Sequence, residues 1–263
     1  MFEENGQFMD FGVAYTDEEM VRRAWDREMI ADTVGRFVLY WGNGEMERAL
    51  DELWVREPEH QKDASFGVNT GFFVGMDEVR RHLVTERLEK DRESLAAYQA
   101  AFPDKGYTDA DLGLGVTRTH SCTTPLYYIA NDGQTARYLG YDLGMSARSD
   151  PDGTVHGFHE IGLFYVEFVR EGETFKIWHM VEQHDFSVEG GRDYNDYPMK
   201  ITDPNDPHKK EYGAPTVLKD VYDETFGWEY LFYDMPKPYK TYSPEEGYGA
   251  QGKIGKKFYE RMI

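Results

Sequence analysis

Apolar positions in the first hundred residues recur with a helical period. Ile30, Val34, Phe37, Val38 and Trp41 follow one another at intervals of four, three, one and three, which places them on one face of a helix. Thr16, with Glu19 three residues later, forms a capping box that starts this helix, and Gly42-Asn43-Gly44 stops it. Residues 45–54 predict a short second helix, residues 65–74 a short strand and residues 76–101 a third helix. Beyond residue 114 the pattern changes to runs of Val, Ile, Tyr, Phe and Thr parted by turn signals. Asn131-Asp132-Gly133 joins strands over 123–130 and 135–147 into a hairpin. Ser149 to Gly153 separates the next pair, and Glu171-Gly172-Glu173 leads into a strand over 174–186. The order is helix, helix, strand, helix and four long antiparallel strands. It predicts an α+β protein with helices on one face of a curved sheet.

The pattern fades after residue 186. The last 77 residues hold seven of the eleven prolines and ten of the nineteen tyrosines. The chain therefore divides into a domain over 1–186 and an extension over 187–263, with a short helix expected near 216–225. So many large rings mark an extension that wraps the core or a partner subunit.

Charge narrows the function classes. With 29 basic and 49 acidic side chains the net charge is 29 − 49 = −20. Such a field repels phosphate backbones and anionic membranes, so neither nucleic acid nor membrane is expected as a partner. No apolar run is long enough to span a bilayer, and acids occupy the first ten residues where a secretory signal carries basic and apolar ones. A cytoplasmic location is the expectation. The single cysteine, Cys122, makes no internal disulfide and reads as a small core residue. On the 76–101 helix, Glu78, Arg80, Arg81, Glu86, Arg87, Glu89, Lys90 and Arg92 read as a solvated face with i,i+4 pairs.

Candidate chemistry comes from alternation along the strands. Arg118, His120 and Cys122 share a face, where a cation beside an imidazole would favour the neutral base and could hold a phenolate or enolate oxygen. His159 shares a face with Ile161, Leu163 and Tyr165, while Phe158, Glu160, Gly162 and Phe164 share the other. Glu182 and His184 lie together and His179 points away, so the three cannot ligate one ion on an ideal strand. No metal and no cofactor is assigned. Glu182 instead reads as a pocket acid, or with His184 as a pair closing the cavity mouth. Tyr40, Trp41 and Tyr141 are placed near the pocket as walls and hydroxyl donors. Gly247 to Gly252 fits GxGxxG, and with Lys253 most of a P-loop. Ile254 stands where a hydroxyl must hold magnesium, however, and no strand precedes the motif, so it reads as flexible tail.

Several segments together resemble SnoaL-like proteins of the NTF2-like superfamily. These are Asp26-Arg27-Glu28-Met29-Ile30-Ala31-Asp32-Thr33-Val34-Gly35-Arg36-Phe37, then Gly44-Glu45-Met46, then Phe73-Val74-Gly75-Met76-Asp77-Glu78-Val79. His120 ahead of Asp132-Gly133-Gln134-Thr135-Ala136, and Arg170-Glu171-Gly172-Glu173-Thr174-Phe175-Lys176-Ile177, continue the likeness, which covers roughly residues 17–186. It implies a cone, a strongly bent antiparallel sheet and helices enclosing one pocket, often in a homodimer. The superfamily includes scytalone dehydratase, polyketide cyclases, ketosteroid isomerases, cofactor-free lyases of lignin-derived diaryl compounds and plain binding modules. Fold does not choose among them.

By this resemblance His120 and an inward-facing His159 would transfer protons, with Arg118 and Tyr40 stabilising oxygen anions. Trp41, Tyr141, Glu182 and His184 would contact the substrate. One position departs from the family: Gly42 stands where dehydratase-like members commonly carry an aspartate paired with the histidine. The expectation is a cofactor-independent lyase working by elimination, dehydration or retro-aldol-like C–C cleavage. Its substrate would be a bulky phenolic such as a lignin-derived diaryl compound or a polyketide-like aromatic. The alternatives are a non-catalytic small-aromatic binding module, a SnoaL-type cyclase or isomerase, and an assembly subunit whose tail fills the cone.

Overall fold

Thr16 caps the first helix as its sequence requires. Its hydroxyl accepts from the Glu19 amide at 3.2 Å, and the Glu19 carboxylate accepts from the Thr16 amide at 2.7 Å. Helix α1 (Asp17–Asn43) then runs to Gly44, whose left-handed backbone ends it. The computed structural model describes residues 9–10, 13–68, 71–189, 217–218 and 236–252. Before α1 lies a two-residue hairpin, β1 (Met9–Asp10) with β2 (Val13–Ala14); after it come α2 (Met46–Leu53) and α3 (Pro58–Gln61). The predicted strand over 65–74 is two antiparallel strands, β3 (Ser65–Val68) and β4 (Gly71–Val74).

The third helix exists but is interrupted. It comprises α4 (Met76–Arg80), a π-helical turn (Arg81–Thr85) and α5 (Glu86–Ala101). A π turn brings residues five apart onto one face, and here Arg81 pairs with Glu86 across it.

Four long strands follow: β5 (Val116–Ile129), β6 (Thr135–Ser149), β7 (Val155–Glu171) and β8 (Thr174–Glu189). They pair antiparallel in chain order, as the turn signals imply. Beyond them β3 joins β8 in parallel, so the sheet is mixed rather than wholly antiparallel, in the order β5-β6-β7-β8-β3-β4-β9. The last strand, β9 (Val217–Leu218), falls where a helix was expected, and the rest of that stretch lies outside the described residues. Register shifts bend the sheet at Thr123/Leu126 in β5 and opposite Ile161/Gly162 and Glu167/Phe168 of β7, where β8 carries one extra residue each, Asp185 and Trp178. Pro125 occupies the β5 bulge on an edge strand, a place where its missing N–H costs least.

The concave face holds the main core. Ile30, Val34, Phe37 and Trp41 of α1 bury against Phe164, Val166, Phe168 and Met180. Helices line the hollow of a bent sheet, the cone that was expected. Asp26 and Arg170, both inside the resembling segments, tie α1 to the β7–β8 hairpin through a bidentate pair at 2.6 and 3.2 Å. Among the described residues, no helix is long and apolar enough to cross a membrane.

Residues 236–252 pack on the opposite, convex face. Tyr248 lies edge-on to Tyr165, Tyr242 against Trp178, and Tyr239 bonds Thr135 at 3.0 Å. The glycines that mimic a nucleotide loop are close-approach positions in this packing. A Cβ on Gly249 would stand 2.9 Å from the His179 ring, and one on Gly247 2.8 Å from a Glu167 oxygen. The segment from Gly247 to Ala250 is buried against the sheet, not the flexible tail that was expected.

Candidate active site

Register decides which side chains enter the cone. Cys122, Asp142, Gly162 and His184 align across β5 to β8, and His120, Gly144 and Glu160 align beside them. The inward set on β7 is therefore Glu160, Gly162 and Phe164, the face opposite to the one expected. His159 lies on the other face and is exposed. Tyr141 likewise stands on the convex face, 42% exposed. Neither belongs to the pocket, because each is one residue out of phase with Asp142 and Phe164.

His120 is buried in the cone, and its Nδ1 lies 2.9 and 3.1 Å from the two oxygens of fully buried Asp142. Trp41 meets its ring edge-on at 5.2 Å, and Phe164 lies 6.1 Å away. Glu182 stands 3.9 Å from the same Nδ1 and is bound at 3.1 Å by His184 Nε2. The His184 ring also lies 3.8 Å from Asp142 and 3.9 Å from Glu160. Glu182 and His184 thus form the pair read from sequence. His179 turns away to the convex side, where its ring meets Ser65 at 3.0 Å.

These neighbours set the charges. Burial opposes a charged His120, but the bond to Asp142 and the Glu182 carboxylate outweigh it and its pKa is raised. The expected depression by Arg118 is thereby reversed, since carboxylates rather than a cation face the ring. Burial opposes the charge on Glu182 as well, yet His184, His120 and Arg87 hold that carboxylate down to about 2. His184 is correspondingly pushed up to about 11, chiefly by Glu182 against the cost of burial. Burial pushes the Cys122 thiol up to about 12, which suits a core residue and not a nucleophile.

Among the described residues two groups bring potential metal donors within 4.8 Å of one another: His120 with Asp142 and Glu182, and Glu57 with His60 and Glu171. In the first, the donors already satisfy each other: His120 with Asp142, Glu182 with His184. In the second, Glu171 accepts the Arg56 and Glu57 amides and lies 3.0 Å from His60 Nδ1, a loop anchor.

Tyr40 is not at the site. Its hydroxyl donates to Glu52 at 2.6 Å and Arg48 covers its ring, so it fastens α1 to α2. Trp41, one residue on, does reach the site. Next to it Gly42 passes so close to β5 that a Cβ would stand 2.9 Å from the Arg118 carbonyl oxygen. An aspartate has no room here. The carboxylate beside His120 is instead Asp142, from the neighbouring strand.

A cavity of about 60 Å³ opens on the far side of Trp41, between the end of α1, the π turn and α5. Arg118 lines it and spends its guanidinium on Asp91, at 2.8 and 3.3 Å. Arg87 stacks over the Trp41 ring at 3.5 Å. Thus Glu86 and Arg87, expected on a solvated face, turn inward instead, and Asp91 turns inward with them. The sequence did carry a signal for them: Val79, Leu83, Arg87, Asp91 and Leu95 step along one apolar helical stripe with two charges inside it. Asp142 and Glu160 had no such signal, because alternation shows which residues share a face and not which face is inside.

No family model matches the chain, and no curated protein matches it in sequence. Solved structures do overlap its fold. An NTF2-like protein with a cystatin-like fold from Novosphingobium aromaticivorans is 17% identical, covering 63% of this chain and 86% of that one at a TM-score of 0.42. A candidate scytalone dehydratase from the same organism is 9% identical over 64% and 90%, at 0.44. The hexachlorocyclohexane dehydrochlorinase LinA-type3 from Novosphingobium barchaimii is 13% identical over 66% and 97%, also at 0.44. At these identities the chemistry has to follow from this chain's own residues.

Proposed function

We propose that the protein is a cofactor-independent lyase in which His120 moves the proton. The observation that carries this reading is the bond from His120 Nδ1 to buried Asp142, enclosed by Trp41 and Phe164. With Nδ1–H donated to the carboxylate, Nε2 carries the lone pair of the neutral ring, the arrangement of an oriented general base. In an elimination Nε2 takes a proton from carbon. The C–H electron pair becomes the new double bond, the leaving group departs with its own pair, and the imidazolium returns the proton to it. In a retro-aldol cleavage the same base takes a hydroxyl proton, C=O forms, and the C–C pair leaves as an enolate to be reprotonated. His184, held protonated beside Glu182, is the second proton donor. Rings at the site, Trp41 and Phe164, suit a bulky phenolic of the diaryl or polyketide-like kind.

A binding module would turn His120 to backbone or solvent, and its carboxylate partner speaks against that. The test is a panel of phenolic dimers and polyketide-like aromatics incubated without added cofactor, with products analysed. Turnover should survive a chelator and fall at least about a hundredfold in His120→Asn, the usual worth of a general base. Full activity in His120→Asn, or a strict need for added metal, would overturn the proposal.

A further inference from the structure

In the cavity outside Trp41 one charged group, Arg87, touches no carboxylate among the described residues. Of the charged groups that line it, Glu47 pairs with Arg80, and Arg118 pairs with Asp91. Arg87 makes no hydrogen bond or contact ion pair among the described residues; Glu182, Asp91 and Glu160 act on it only across a distance, and it is half-buried on the indole of Trp41. Its neighbours in the wall, Leu83, Val84, Leu88 and Met46, are apolar. Other arginines in comparable surroundings do not stand alone: Arg137 has Glu167, Arg170 has Asp26, and Arg81 has Glu78 and Glu86.

From this we infer that the cavity is an anion subsite in which Arg87 binds a carboxylate of the substrate, across Trp41 from the His120 ring. Carboxylate is the anion class that fits. A guanidinium fork matches two coplanar oxygens, and Arg118 already holds the Asp91 carboxylate that way in the same cavity. About 60 Å³ admits a small head group rather than a ring, and the apolar wall suits the carbon stem behind it. Burial lowers Arg87 to about 10, so it stays charged at neutral pH. Lys90 is lowered too, first by burial and then by Arg87. In calling the anion part of the substrate, the inference rests on the lyase reading; binding of the anion does not.

The test uses propionate, with propionamide as the neutral isostere and chloride at matched ionic strength as the simple anion. Binding to the full-length protein is followed through the arginine Nε–H NMR signals, with Arg87 assigned by its loss in Arg87→Met. That variant keeps the stem packed on Trp41. Propionate should move the Arg87 signal saturably and bind at least tenfold more weakly to Arg87→Met. Arg87→Lys, which keeps the charge without the fork, should fall between. His120→Asn should bind within twofold of wild type, so a failed lyase reading leaves this result standing. Equal binding of propionamide, unchanged affinity in a folded Arg87→Met, or chloride competing as well as propionate would overturn the inference.

Discussion

His120 and Asp142 lie 22 residues apart in sequence and become one unit through the β5–β6 register. His120 was legible because a histidine and an arginine alternate on a strand ahead of a hairpin. Its partner was not, because nothing local distinguishes Asp142 from a solvated acid. Asp142→Asn should therefore lower kcat by at least about a hundredfold, since the ring loses the acceptor that fixes its tautomer. The pH profile of kcat/KM is the sharper readout. A base with a raised pKa loses activity as the pH falls through that value, and removing the carboxylate should move this acid limb to lower pH. Gly42 tests the substitution of one acid for another. Gly42→Asp should cost about 1–3 kcal/mol in a denaturant titration by overpacking against the Arg118 carbonyl, without rescuing Asp142→Asn.

Elements were more legible than their inward faces. The capping box, the α1 stripe and the three hairpins follow from sequence because caps, helical periods and turns are local. Alternation along β7 leaves open which side enters the cone; packing against α1, where Phe164 meets Phe37, decides it. That is why His159 and Tyr141 were placed at the pocket and Glu160 on the face away from it. The convex face carries its own buried pair, Arg137 with Glu167 at 2.9 Å, covered by Tyr239 and Tyr248 from residues 236–252. Glu167 also accepts the Tyr248 amide at 3.0 Å. Glu167→Ala leaves a buried guanidinium unpaired and removes the anchor of that segment. It should destabilise the fold by about 3–5 kcal/mol in chemical denaturation, with faster proteolysis near residue 248.

At the scale of the whole molecule, the acid excess keeps the surface negative while the site gathers Arg87, Arg118 and protonated His184 around its carboxylates. The same coupling fixes a pH window for stability. Glu182, held at about 2 against a usual 4.5, contributes stability above pH 4.5 that disappears as the pH falls toward 2. His184, raised to about 11 from 6.5, contributes fully below pH 6.5 and loses that contribution as the pH climbs toward 11. Urea midpoints across pH should therefore decline on both sides of this window, and Glu182→Gln should flatten both arms because it uncouples the pair.

The most direct measurement is an NMR titration of the His120 ring nitrogens, assigned by their loss in His120→Asn, in wild type and in Asp142→Asn. The expected result is a wild-type pKa above 6.5 with the proton on Nδ1 in the neutral form, and a lower pKa once the carboxylate is gone. A His120 that titrates at or below 6.5, or whose pKa does not respond to Asp142→Asn, would contradict the dyad on which the proposed chemistry depends.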